Sequence, residues 1–253
     1  MSNFYQKTWH INADIELLKE IVQENKDKFV CPFQNAVSYL NVYKTDDCSV
    51  QFFNLQNCDY TKEKNREGEV YIKYLMSTMR KAGRDKDYTF LKENFEQFCI
   101  ETNEENFVLD NNDDPKIKKL LKSLRDTWRY DYSTKNGSIC RVRLVRLPAG
   151  TQMPFHRDET SSKNLRVICP IITNDQCINA FKDTDGTIVK ESFPATGSFY
   201  TFNDEKIEHA VFNNSDHDRY ALIMTVVGVD DLKSWDRGYY KNKLFWEAYS
   251  RGP

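Results

Sequence analysis

Residues 197–226 read GSFYTFNDEKIEHAVFNNSDHDRYALIMTV, and this stretch decides the fold. It holds three short apolar runs, GSFYTFN, HAVFNNS and RYALIMTV, separated by polar turn residues. Runs of this length, rich in aromatic and β-branched side chains and bounded by Asn, Asp and Ser, read as strands. The same texture extends upstream to Ser138 through ICRVRLVRL, LRVICPIIT, CINAFKD and TIVKESF. Asp185-Gly186 lies between the last two, and Asp-Gly supplies the left-handed backbone that a tight hairpin needs. Seven or eight strands in about 90 residues predict a sandwich or jelly-roll barrel.

Ahead of Ser138 the apolar period changes. Residues 13–29 place Ile15, Leu17, Leu18, Ile21 and Val22 near one helical face, with Asn12 or Asp14 as cap. Residues 68–82 and 86–101 repeat that spacing, and 49–57 reads as a strand or short extended segment. Asn111-Asn112-Asp113-Asp114-Pro115 is the clearest break, and its Pro can open a helix over 116–128. A last helix is expected over 239–250, packed on the barrel. The fold class is therefore α+β. A helix-rich region, 1–110, supports a double-stranded β-helix (jelly-roll, cupin-like) core over 111–253.

Composition narrows the function. The 253 residues carry 36 basic and 38 acidic side chains, a formal charge of −2. That balance argues against a broadly basic nucleic-acid binder. No apolar run approaches the roughly 18 residues of a spanning helix, so no membrane partner is expected. The start does not read as a secretory signal. The seven cysteines are odd in number and form no CxxC pair, which fits reduced thiols in a cytoplasm-like compartment rather than disulfides or structural zinc.

Only four histidines exist, His10, His156, His209 and His217. His156 and Asp158 stand two apart in MPFHRDE, so an extended chain puts both on one face. His209 opens a later predicted strand. Two histidines and one carboxylate on one face of a barrel leave the opposite coordination positions open, as in non-haem Fe(II) oxygenases. Arg219 follows His209 by ten residues, across the turn NNSDHD, and is expected on the adjacent strand. A guanidinium inside a barrel needs an anion, and it pairs bidentately with carboxylates.

With PFHRDE (154–159), NLRVICPIITN (164–174), GSFYTFNDEKIEHAVFNNS (197–215) and RYALIMTV (219–226) together, residues 138–228 resemble the Fe(II)/2-oxoglutarate-dependent oxygenases. Within them the stretch resembles the aspartyl/asparaginyl β-hydroxylase family, which includes relatives acting on free proline. The resemblance implies iron ligation by His156, Asp158 and His209. It implies that Arg219 binds the C5 carboxylate of 2-oxoglutarate and that Arg166 reaches toward the same co-substrate. Ile168 stands where the family often has a histidine. The implied enzyme is a dioxygenase hydroxylating an amino-acid side chain, in a polypeptide or a free amino acid. It needs Fe(II), 2-oxoglutarate and O2, with ascorbate as an in vitro supplement, and releases succinate. Two other classes stay open: a non-catalytic, cupin-like metal-binding module, and a nucleic-acid oxygenase of the same superfamily.

Other residues have plainer expectations. His217 reads as an exposed turn residue and His10 as packing or surface. Asp204 and Glu205 form a polar turn from which either can orient His209. Trp128, Tyr130 and Tyr132 suit a helix–barrel interface, and Cys169 and Cys177 suit buried strand positions. Arg141 and Arg143 are expected as solvated edge residues. The alternative is that they face the barrel mouth and hold an acidic substrate group.

Overall fold

The computed structural model describes residues 6–29, 50–64, 66–83, 85–101, 106–110, 112–131, 138–156, 164–182, 186–202 and 208–227. The first part of the chain gives β1 (Gln6–Asn12), α1 (Ile15–Glu24), β2 (Gln51–Asn54) and β3 (Asn57–Cys58). It continues with α2 (Arg66–Lys81), α3 (Asp85–Glu93), α4 (Phe95–Glu101), β4 (Phe107–Leu109) and α5 (Pro115–Asp131). The barrel strands are β5 (Ser138–Leu147), β6 (Gln152–His156), β7 (Asn164–Ile172) and β8 (Cys177–Lys182). They end with β9 (Ile188–Glu191), β10 (Ser198–Phe202), β11 (Glu208–Asn213) and β12 (Arg219–Val227).

Local chemistry sets the helix ends. The Asp14 carboxylate accepts the Leu17 N–H at 3.1 Å and caps α1. The helix expected to run to residue 29 stops at Glu24, where the Asn25 amide donates to the Ile21 carbonyl at 2.7 Å. A single 3-10 turn, Lys26–Lys28, follows. The helix expected over 86–101 divides at Asn94, whose amide donates to Phe90 O at 2.8 Å and competes with the backbone ladder. Pro115 opens α5 as expected, and Asp114 accepts the Lys116 N–H at 2.7 Å. The strand expected over 49–57 breaks after Asn54. There Leu55 and Gln56 turn their N–H groups to the Val142 carbonyl, and Gln56 Oε1 accepts Val142 N–H in return. The helix expected over 239–250 lies outside the described residues.

The strands form a six-stranded sheet, β1-β10-β7-β12-β5-β2, and a four-stranded sheet, β6-β11-β8-β9. Neighbours pair antiparallel throughout. From β5 to β12 the chain alternates between the two sheets, apart from the β8–β9 hairpin. This is the expected jelly roll. Two strands from the first part of the chain, β1 and β2, extend the larger sheet at both edges.

Strand alternation separates two faces of the larger sheet. Leu144, Val167, Cys169, Leu222, Met224 and Val226 face outward and join α1 and α5 through Leu18, Ile21, Ile117, Leu121 and Leu124. Each such buried side chain contributes about 1.5–3 kcal/mol. The opposite face looks onto the smaller sheet. There Ile168, Tyr200 and Ala221 pack with Phe181 and Phe193, and Val145 and Leu147 pack with Val211 and Met153. Helices α2, α3 and α4 close a small core of their own around Ile72, Leu75, Met79, Leu91 and Phe98.

Candidate active site

His156 ends β6 and His209 begins the body of β11, and the two are direct register partners. Their ring centroids lie 4.3 Å apart at an interplanar angle of 52°. A β-bulge makes this meeting possible. His209 pairs with His156 while Val211 pairs with Met153, so β6 carries one residue more than β11 across that interval. Without the extra residue, His156 and Met153 would point to opposite faces. With it, His156 turns inward beside the inward Met153. Pro154 sits inside the bulge, where its missing N–H leaves no ladder bond unmade.

The Pro154 carbonyl lies 2.8 Å from His156 Nδ1. A carbonyl can only accept, so Nδ1 carries the proton in this contact. His209 is buried and sits opposite Phe181 on the other neighbouring strand, which walls the site with an apolar ring. Two imidazoles at this separation suit one cation, with metal–nitrogen distances of about 2.1 Å. Asp158, the expected third ligand, lies outside the described residues, as do Asp204 and Glu205. No cluster of three His, Cys, Asp or Glu side chains occurs among the described residues.

Arg219 was expected on a strand adjacent to His209. The structure corrects this. β12 belongs to the larger sheet and β11 to the smaller, so Arg219 approaches from the facing wall. The cause is the turn between them. The buried Asn213 amide donates to the carbonyls of Leu147, Pro148 and His217 at 2.8–3.0 Å, and its oxygen accepts from Ser215 Oγ at 2.7 Å. This knot carries the chain across the end of the barrel.

From there the Arg219 side chain reaches the smaller sheet. It is only 6% exposed, and its Nη2 donates to Asn179 Oδ1 at 3.2 Å. Its Nε is buried and makes no hydrogen bond. No carboxylate pairs with it among the described residues. Burial pulls its pKa down to about 10, opposed by Cys177. Asn179 lies two residues along β8 from Phe181, the register partner of His209. At the usual strand rise the Asn179 row is thus roughly 6–7 Å below the histidine pair.

Arg166, on β7, is also buried, with Thr225 and Phe202 as register partners. It shares the inward face with Ile168. Two arginines are buried and no aspartate or glutamate is, among the described residues. Arg143 departs from the solvated-edge expectation. It shares the inward face with Val145 and Leu147, and its guanidinium stacks 4.2 Å above the Phe52 ring. Arg141 sits in a β5 bulge at a φ of 50°, with its guanidinium 5.3 Å from the Phe107 ring. His217 is exposed and pairs with Asp216, as expected of a turn residue. Cys169 and Cys177 are buried on strands, also as expected.

Sequence reasoning missed Asn179. Its only signal was a polar residue in an otherwise apolar strand, CINAFK. A separate cavity of about 530 Å³ opens beside β3 and β4, lined by Asn54, Asp59, Tyr60 and Glu101 among others. Its acidic groups are already occupied, Asp59 by Thr61 and Glu101 by Tyr60.

The family model for aspartyl/asparaginyl β-hydroxylase matches residues 64–228, roughly two-thirds of the chain. The chain belongs to the aspartyl/asparaginyl β-hydroxylase family. The match begins well ahead of the barrel, so this family's span takes in α2–α5 as well as the stretch 138–228. No curated protein matches the chain. Among solved structures, it is similar to a Pseudomonas putida prolyl-4-hydroxylase at 12% identity and a TM-score of 0.37, over 47% of this chain and 68% of that one. It is similar to an oxidoreductase of the 2OG-Fe(II) oxygenase family from Burkholderia pseudomallei at 15% identity and a TM-score of 0.37, over 45% of this chain and 58% of that one. A cupin domain from Bordetella pertussis aligns at 25% identity and a TM-score of 0.26, over 35% of this chain and 80% of that one. Each overlap is partial, and the family assignment stands on the family match.

Proposed function

We propose that this member of the family is an Fe(II)- and 2-oxoglutarate-dependent dioxygenase that hydroxylates a C–H bond of an amino-acid side chain, in a polypeptide or a free amino acid. One observation carries the reading. A buried guanidinium with an unused Nε is hydrogen-bonded to Asn179, whose row on β8 lies roughly one short diacid's length from a pair of facing imidazoles. A buried cation without an anion costs stability, and a protein retains one where a ligand supplies the missing charge.

The residues present fit the implied groups. His156 and His209 would hold Fe(II) through neutral imidazole nitrogens, and Asp158 is proposed as the third ligand. Arg219 would take the distal carboxylate of 2-oxoglutarate, and Arg166 would reach its other end. Fe(II), 2-oxoglutarate and O2 together supply the C–H oxidation, with decarboxylation to succinate and CO2. The chain's part is to bind, orient and exclude water. The Pro154 carbonyl fixes the His156 ring and its tautomer. Phe181, Ile168, Tyr200 and Phe193 form the dry floor between the sheets. Arg143, stacked on Phe52 and facing the same interior, suits a substrate that carries a carboxylate.

The test uses anaerobic protein. Calorimetry should show one Fe(II) bound and, on the loaded protein, one 2-oxoglutarate. Succinate should form on admitting O2. His156→Ala and His209→Ala should each lower Fe(II) affinity by at least about 100-fold and abolish succinate formation, since two protein nitrogens are most of the ligand set. Ordinary turnover in His209→Ala would remove the metal reading.

A further inference from the structure

We propose that Asn179 is the positioning residue of the anion site, a neutral acceptor that holds the Arg219 guanidinium in place while leaving its charge for an incoming carboxylate. This rests on the co-substrate reading above and extends it to a residue with no assigned role.

Asn179 is 4% exposed and faces the space between the sheets from β8. Its Oδ1 accepts from Arg219 Nη2 at 3.2 Å. Its Nδ2 reaches Glu191 O on β9 at 3.5 Å, the outer limit of a hydrogen bond, where Glu191 is its register partner. The amide is thus carried on β8 and held to β9 by this one contact, with its oxygen turned to Arg219. An arginine side chain is long and flexible, and holding its fork still before a ligand arrives removes part of the entropy cost of binding. The choice of an amide over a carboxylate matters more. Aspartate has the same shape, yet it would give the buried guanidinium an internal ion pair. The ligand would then have to displace that pair. Asparagine supplies the hydrogen bond without the charge, and the buried Nε of Arg219 stays unmatched. Among the described residues, Asn179 is the hydrogen-bond partner of this guanidinium.

The substitutions Asn179→Asp and Asn179→Ala separate these roles. In the metal-free protein without 2-oxoglutarate, Asn179→Asp should melt about 2–4 °C higher than wild type, because the buried charge becomes paired. On the anaerobic Fe(II)-loaded protein, the same variant should bind 2-oxoglutarate roughly 30-fold or more weakly, with Fe(II) affinity unchanged. Asn179→Ala should raise the KM for 2-oxoglutarate about five- to tenfold with little change in kcat, the signature of lost positioning. A merely structural asparagine predicts the reverse pattern, with both variants melting lower and Fe(II) and 2-oxoglutarate binding falling together. That result overturns the proposal, as does unchanged 2-oxoglutarate affinity in Asn179→Asp. If wild type itself binds Fe(II) but no 2-oxoglutarate, the co-substrate reading fails. The melting of the unliganded Asp variant still decides the charge claim: a rise supports it and a fall overturns it.

Discussion

Arg219 is the residue at which folding and function pull in opposite directions. Its charge is buried, its Nε makes no hydrogen bond, and burial, opposed by Cys177, depresses its pKa to about 10. In water the same guanidinium is fully solvated, so the fold bears a desolvation cost that no carboxylate among the described residues offsets. Arg219→Met keeps much of the side-chain volume and removes the charge. The unliganded variant should therefore be more stable than wild type by about 1–4 kcal/mol, read from urea denaturation. It should also lose 2-oxoglutarate binding in anaerobic calorimetry. Equal or lower stability would mean that the guanidinium is already compensated. The sequence showed this arginine and its ten-residue spacing from His209. It did not show that a neutral amide rather than a carboxylate faces the arginine from β8, because that depends on what β8 brings opposite it.

At the scale of elements, two irregularities build the site. The β6 bulge turns His156 inward, and the Asn213 turn carries the chain from one sheet to the other. Asn213 is fully buried and serves three carbonyls with one amide group while its oxygen accepts from Ser215 and Cys177. Asn213→Ala removes a donor from each of those carbonyls and an acceptor from Ser215 and Cys177, although Pro148 keeps Thr151 and His217 keeps Ser215 as donors. The cost should be about 2–4 kcal/mol in chemical denaturation, with a loss of 2-oxoglutarate affinity larger than any loss of Fe(II) affinity. The histidines sit at the far end of β11 from this turn, whereas Arg219 leaves it directly. A loss confined to Fe(II) binding would contradict that arrangement. Period two relates His156 to Asp158, but only the bulge relates His156 to the barrel interior.

At the scale of the whole molecule, burial raises the pKa of two thiols and a phenol, and these groups are expected to make stability fall at alkaline pH. Burial pushes Cys169 up to about 12, and burial with nearby Glu101 and Asp59 pushes Cys58 up to about 11, from an ordinary value of 9.0. Burial also raises the Tyr220 phenol. An acid whose pKa is raised on folding keeps its proton in the native state while the unfolded chain loses it. The stability it contributes is complete below about pH 9 and is lost as pH rises toward 11–12. Arg219 has the opposite sign. Its depressed pKa means that the native state sheds a proton first, so it adds stability above about pH 10. Melting temperature should therefore fall as soon as pH exceeds about 9 and fall less steeply above about 10. Cys58→Ala with Cys169→Ala should flatten the first part of that slope. A slope unchanged by the double substitution would assign the loss to other groups.

The sequence by itself determined the strand texture from Ser138 to Val227, the helical texture before it, and the identity and spacing of His156, His209 and Arg219. These are local properties, written in periodicity, turn residues and residue chemistry. The tertiary structure alone decided that β11 and β12 lie in facing sheets, that a bulge turns His156 inward, that Arg143 faces the interior, and that Asn179 holds Arg219. Each of these depends on register and on contacts between residues distant in sequence. A shift of one residue reverses which face a side chain occupies, and no local pattern records that shift.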